Sequence, residues 1–272
     1  MEYSSKIMHY WNEITDIAGV VPFITGLKLE IPYRCYSELK TFLSLVSLNK
    51  NVSFLELGCG AGRWALAVAP SVKQYTGVDF SDVLLKAARC KTGNANLKNT
   101  IFEEMDLIHF LKNTTETFDV IYFSGVSLYF SDESLEQVID LAVPRLNPGG
   151  RIIERTTTSL HRHEINNESY FGIYRTSQEL IELFSCNKSL KYKNSERSYV
   201  FPRGIFLLRL IDRFYQRFRW TKVILSNQFT NFLIEVISRL LEYLKPRFRN
   251  GLFSGNAHYD HRFFIFDFEE KP

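Results

Sequence analysis

The run Phe54-Leu55-Glu56-Leu57-Gly58-Cys59-Gly60-Ala61-Gly62-Arg63-Trp64 holds an acid followed by three glycines at every second position. It reads as a buried strand entering a tight turn and then a helix. Glycines at 58, 60 and 62 let backbone approach a bound molecule where a Cβ would collide, and their N–H groups with the helix start are expected to offer donors to a polar ligand. A nicotinamide-binding unit is the competing interpretation. Against it, Glu56 stands two residues before the first glycine, where that fingerprint has an apolar residue, and Gly62 comes one residue too early for G-x-G-x-x-G. Gln74-Tyr75-Thr76-Gly77-Val78-Asp79 reads as the next strand, ending in an acid placed to hold a ribose diol.

Further segments follow in order. Phe102-Glu103-Glu104-Met105-Asp106 reads as a third strand and its exit, Phe118-Asp119-Val120-Ile121-Tyr122-Phe123-Ser124 as a fourth, and Leu146-Asn147-Pro148-Gly149-Gly150 with Arg151-Ile152-Ile153-Glu154 as a turn and a fifth. Across roughly residues 50 to 160 this order resembles the class I S-adenosylmethionine (SAM)-dependent methyltransferases. The resemblance implies a seven-stranded Rossmann-like α/β sheet, parallel with one antiparallel strand and flanked by helices. It implies SAM as cofactor over Gly58–Gly62, with Asp79 on the ribose, Asp106 or its neighbours near the adenine, and Glu56 supporting the loop or reaching the methionine end through water. Cys59, Phe80, Met105 and Ser124 complete the expected cofactor set.

In such an enzyme the protein mainly aligns a nucleophile with the methyl group, and alignment alone can be worth about 7–11 kcal/mol. A hydroxyl acceptor also needs a base, worth about 10²–10⁴-fold. His161, His163 and Glu164 are base candidates, with Glu154, Tyr129 and Tyr174 behind them. His161 and His163 would share a face on a strand, but two ligands do not make a metal site, and no metal is expected. A phosphate or carboxylate acceptor is already an anion and would call on Arg155, Arg175 and Arg162 instead. Ser124-Gly125-Val126-Ser127 stands where many base-methylating enzymes carry an N-P-P-Y type motif. Hence the expected reaction is O-methylation of a sugar, a polysaccharide or another small polar acceptor, not of nucleic acid. The alternatives are phosphate or carboxylate methylation on a lipid-linked acceptor, a catalytically silent scaffold, and a peripheral membrane module.

Composition bounds these choices. A 272-residue chain with 45% apolar residues can bury a large core, and a net charge of +3 is too small to demand nucleic acid or an anionic surface. Cys35, Cys59, Cys90 and Cys186 are widely spaced, which excludes a C-x-x-C zinc or redox motif and fits a reducing cytoplasm. No signal peptide or spanning apolar run is read.

The positioning elements divide the chain into an N-terminal helical lid (1–49), an α/β core (50–201), a helical insertion (202–256) and a C-terminal strand (257–272). In the lid, Tyr3–Ile17 and Tyr33–Leu48 read as helices, the second with Leu39, Phe42, Leu43 and Val46 on one face, and Tyr10, Trp11, Tyr33 and Arg34 are pocket candidates. Core helices are expected near 62–69, 82–92 and 132–143, and Thr176-Ser177-Gln178-Glu179 has capping-box spacing for another. Residues 189–201 can supply strand six. Arg262–Phe268 is read as the antiparallel seventh strand beside strand five, and His258–His261 as a loop before it. In the insertion Arg209, Arg213 and Arg217 line one helix face beside Phe206, Leu210, Phe214 and Phe218, which suits either a helical cap packed on the sheet with a solvated basic face or peripheral contact of 203–249 with the inner face of a membrane.

Overall fold

The computed structural model describes residues 30–168, 170–198, 236, 243 and 259–269, with side chains from Cys35 onward. The first lid helix with Tyr10 and Trp11, the side chains of Tyr33 and Arg34, and the arginine-aromatic helix face lie outside the described residues. So do nearly all of 203–249.

Alternation of apolar strand and amphipathic helix builds the core. The first elements are α1 (Glu30–Leu45), β1 (Ser53–Leu57), α2 (Arg63–Val68), β2 (Gln74–Asp79), α3 (Asp82–Asn94) and β3 (Thr100–Glu104). There follow α4 (Leu107–Asn113), β4 (Phe118–Ser124), α5 (Asp132–Ala142), β5 (Leu146–Ser159), β6 (His163–Asn166) and β7 (Phe171–Tyr174). The series closes with α6 (Ser177–Cys186), β8 (Leu190–Arg197) and β9 (Tyr259–Phe268). Seven strands form one sheet in the order β3-β2-β1-β4-β5-β9-β8. Neighbours from β3 to β5 pair in parallel, and β9 lies antiparallel against β5 through nine partners, from Arg151↔Asp267 to Ser159↔Tyr259. The order reverses between β1 and β4, so a crevice opens at the ends of those strands, at Leu57 and Ser124.

At the centre of the sheet both faces are buried, which is why β1 and β4 are mostly apolar rather than alternating. One face carries Leu55, Leu57, Ile121, Phe123, Ile152, Phe264 and Phe266 against Leu111, Leu135, Ile139, Leu180 and Phe184. The other is aromatic: Phe54 stacks on Tyr75 at 5.9 Å, and Trp64 stands edge-on to Tyr122 at 5.3 Å. Each such ring contributes on the order of 1.5–3 kcal/mol by leaving water. In β9, the register with β5 sends Phe264 and Phe266 to one side and Phe263 to the other.

Several expectations need correction. Tyr259 to His261 belong to β9 and not to a loop. A helix, α4, stands between β3 and β4, where the sequence reading had none. The polar stretch after β5 folds into a two-stranded hairpin, β6–β7. Phe42 on α1 and Val46 just past its end are buried, but Leu43 is exposed. Residues 47–196 and 259–269 form one compact unit, while the described part of α1 up to Val46 belongs to a second unit with Arg197 and Ser198. There the hydroxyls of Ser37 and Thr41 donate to the Ser198 carbonyl at 3.1 and 3.3 Å. Among the described residues no helix is long and apolar enough to cross a membrane.

Candidate functional site

The glycine turn sits at the crevice, and its shape is imposed first by the protein. Gly58 and Gly62 have φ of +77° and +71°, where side chains are rarely tolerated. A Cβ on Gly58 would lie 2.0 Å from Val126 Cγ1, and one on Gly62 would lie 2.9 Å from Ala88 Cβ of α3. These two glycines therefore admit neighbouring side chains, where the sequence reading assigned the space to a ligand. Their N–H groups are also used: those of Gly58 and Cys59 bond the Val78 carbonyl at 2.8 and 3.1 Å, and that of Gly62 bonds the Cys59 carbonyl at 3.1 Å. The loop is thus a rigid former that does not itself donate from these positions.

Asp79, at the end of β2, locks that former. Its Oδ2 accepts from the Gly60 N–H at 2.8 Å and its Oδ1 from the Ser81 N–H at 3.0 Å. Burial pushes its carboxyl upward, opposed by the backbone donors of Ser81, Gly60 and Phe80. Three backbone donors on its four lone pairs leave one acceptor position for a hydroxyl. Phe80 and Met105, both half-buried, stand at the exits of β2 and β3, and the Met105 N–H bonds the Asp79 carbonyl at 3.0 Å. Asp106 caps α4, accepting from the N–H groups of Ile108 and His109 at 2.9 and 3.2 Å.

Glu56 lies below the loop, fully buried, and accepts from the Tyr75 hydroxyl and from Ser124. Burial outweighs these donors and pushes its carboxyl up to about 8. Its Oε1 has no partner. Ser124 therefore serves Glu56, and Cys59 fills the space over Gly77, where a Cβ would meet its Sγ at 2.9 Å.

The expected catalytic residues do not converge on one point. Glu154 is fully buried on β5, its Oε1 accepting from Ser127 at 2.6 Å, and burial raises it to about 8. His163 lies in β6; its Nδ1 is 3.1 Å from the His161 carbonyl and its Nε2 is 2.9 Å from the Tyr259 hydroxyl. His161 precedes the strand and is exposed, so the H-x-H pair does not share a strand face; Glu164 also points to solvent.

Arg175 is a clear correction. It is 1% exposed, donating from Nε to Asp132 at 2.8 Å and from its terminal nitrogens to the carbonyls of Ser127 and Phe130 at 3.0 and 2.7 Å. It holds the 3-10 turn Ser127–Tyr129 to the start of α5 and has no surface for an acceptor. Arg162 also grips Asp132, at 2.8 and 3.2 Å. The two guanidiniums hold the Asp132 carboxyl below the usual range against its partial burial. Arg155 pairs with Ser124 in register and lies over Gly125, where a Cβ would be 3.2 Å from its guanidinium, so it alone of the three borders the crevice. The aromatic group formed by Tyr129, Tyr170, Tyr174 and Tyr259 on the hairpin side was missed as a group, although the alternation of Tyr170, Gly172 and Tyr174 is visible in the sequence.

Residues 54–150 match the family described as a methyltransferase domain. Phosphoethanolamine N-methyltransferase 1 of Arabidopsis thaliana is 31% identical over 114 residues, which is 42% of this chain and 23% of that protein. The chain thus spans under a quarter of the length of the first curated relatives it matches. Among solved structures, phosphoethanolamine N-methyltransferase 2 of Haemonchus contortus aligns with a TM-score of 0.56 at 16% identity, over 86% of this chain and 53% of that one. Coclaurine N-methyltransferase aligns with a TM-score of 0.58 at 15% identity, over 86% and 72%.

Proposed function

Taking as premise that the chain has the class I SAM-dependent methyltransferase fold, with its methyltransferase domain over residues 54–150, we propose that it transfers the methyl of SAM to an amine of a small polar acceptor. The carrying observation is the preorganised crevice: a left-handed glycine turn, locked by Asp79 and bordered by half-buried Phe80 and Met105. The residues present fit the cofactor. The Asp79 carboxylate keeps one acceptor position for a ribose hydroxyl, Phe80 and Met105 offer apolar walls to a purine, and the orphaned Glu56 Oε1 leaves one polar atom beneath the loop. Bound SAM supplies an electrophilic methyl on a positively charged sulfur.

The chain's own part is to hold the acceptor against the exits of β4 and β5 and to exclude water there, with Arg155 at the border. Nitrogen is placed ahead of the sugar hydroxyl because phosphoethanolamine N-methyltransferases stand first among the matched curated relatives. An amine in its neutral form also needs no base at the moment of transfer, which suits a site whose base candidates are scattered.

Thermal unfolding with and without SAM or its demethylated product, in wild type and Asp79→Ala, tests the cofactor site. Ligand at about 100 times its dissociation constant stabilises by roughly 2.7 kcal/mol. A shift in wild type that is lost in Asp79→Ala is expected; no shift with either ligand overturns the reading.

A further inference from the structure

We propose that Tyr129, Tyr170 and Tyr174 form the surface that stabilises the positive charge the acceptor nitrogen gains on methylation, an inference that rests on the methyl-transfer reading above. The β6–β7 hairpin is the element that makes this surface, and it is fixed to the crevice edge of the sheet. Phe171 and Ile173 point inward, with Phe80 from the exit of β2 and Tyr129 from the turn after β4 packed against them. Strand alternation then sends Tyr170, Gly172 and Tyr174 to the opposite face.

On that face the rings meet in a built arrangement. The hydroxyls of Tyr170 and Tyr174 are 2.9 Å apart, and Tyr129, which packs on the inward Phe171 and Ile173, reaches round to stand edge-on to Tyr170 with ring centres 6.2 Å apart. A Cβ at position 172 would lie 2.7 Å from the Tyr170 hydroxyl, so Gly172 is what lets the Tyr170 side chain lie across the hairpin. His163 stacks on Tyr174 at 5.0 Å and 4°, and Tyr259 stands edge-on to both rings, 5.2 Å from Tyr174 and 5.5 Å from His163. The His163 ring is oriented on both sides. Its Nδ1 donates to the His161 carbonyl, since a carbonyl only accepts, and its Nε2 accepts from the Tyr259 hydroxyl. Tyr129, Tyr170 and Tyr174 are half-buried, so each residue keeps some surface toward solvent.

Ring faces attract cations, and phenolic oxygens accept N–H bonds. During methyl transfer to an amine, the nitrogen lone pair forms the new N–C bond while the S–C pair stays on sulfur. The positive charge moves from sulfur to nitrogen, and the excess proton leaves to solvent afterwards. Aromatic faces beside the acceptor nitrogen are therefore worth more after transfer than before it, as differential stabilisation requires. A neutral sugar acceptor would draw no such gain.

The test is titration of the whole chain, saturated with the demethylated cofactor, with choline and with its uncharged analogue 3,3-dimethylbutan-1-ol. Both are read by calorimetry in wild type, Tyr170→Leu and Tyr170→Phe. We expect choline to bind about tenfold tighter than the alcohol, Tyr170→Leu to weaken it about fivefold or more, and Tyr170→Phe to stay within about twofold, because the ring is kept. Affinity for the demethylated cofactor should be equal in all three proteins, which also reports that each is folded. Equal binding of choline and the alcohol, or a Tyr170→Leu protein that binds choline like wild type, overturns the proposal. Failure of the demethylated cofactor to bind wild type would instead sink the methyl-transfer reading, a distinct outcome.

Discussion

Replacing Glu56 by Gln should flatten part of the pH dependence of stability. Burial raises this carboxyl from 4.5 to about 8 in the folded chain, so folding takes up a proton between those values. The sign follows: a raised carboxyl contributes its full stability below pH 4.5, loses it as pH rises, and levels off above about 8. Each pH unit inside the window costs about 1.4 kcal/mol per group, so the shift from 4.5 to about 8 is worth about 5 kcal/mol. Glu154 titrates in the same window, also at about 8, and Asp79 is raised in the same direction. Asp119 and Asp132 are held low and act only on the acid side of it. From pH 5.5 to 7.5 the two glutamates together should cost the wild type about 5 kcal/mol, a large share of the usual 5–15 kcal/mol of a domain. Glutamine mimics the protonated acid, accepts from Tyr75 and does not titrate. Urea unfolding at pH 5.5, 6.5 and 7.5 should therefore give Glu56→Gln about half the wild-type slope at unchanged m-value. Wild-type stability that is flat or rises across that range would refute the reasoning, as would an identical slope in the variant.

Two further substitutions test the architecture. Gly58→Ala places a Cβ 2.0 Å from Val126 Cγ1 at a φ of +77°, and should cost about 2–4 kcal/mol. A melting temperature within about 2 °C of wild type would contradict the loop geometry, whereas added Val126→Ala should restore part of the loss. Arg175→Met strands the carbonyls of Ser127 and Phe130 while Asp132 keeps Arg162, for an expected loss of about 2–4 kcal/mol by calorimetry. Unchanged melting with a raised acceptor KM would return Arg175 to the acceptor site.

The elements readable from sequence are those whose cause is local. Val52 to Leu57 is apolar because both sheet faces are covered, and Thr176 with Glu179 forms the capping box that its spacing announces, the Thr176 N–H reaching Glu179 at 2.8 Å. The aromatic run at the C-terminus declares a strand, and the resemblance placed it antiparallel against β5. What was not readable has a distant cause. Arg175 looks like a ligand-binding cation until Asp132, 43 residues away, is brought to it. His163-Glu164-Ile165-Asn166 has no apolar face to mark it as a strand; its pairing with Phe171–Tyr174 makes it one. Helix α4 is only seven residues long and starts on the Asp106 cap, so its apolar stripe is too short to declare a period.

The same distinction governs the crevice. Glycines and acids at 56, 58, 62 and 79 were assigned from sequence to a ligand, yet each is first engaged by a protein neighbour: Tyr75, Val126, Ala88 and the Gly60 N–H. A site whose own groups are already paired keeps its shape before anything binds, so binding need not supply the ordering energy of the loop. In the proposed reading the polar atoms left over are the ones that would discriminate: the remaining acceptor position of Asp79 and the phenols of the hairpin. On this view cofactor affinity and acceptor choice are separable. The glycine turn and Asp79 set the first, and a hairpin of two short strands, with a single glycine under Tyr170, sets the second.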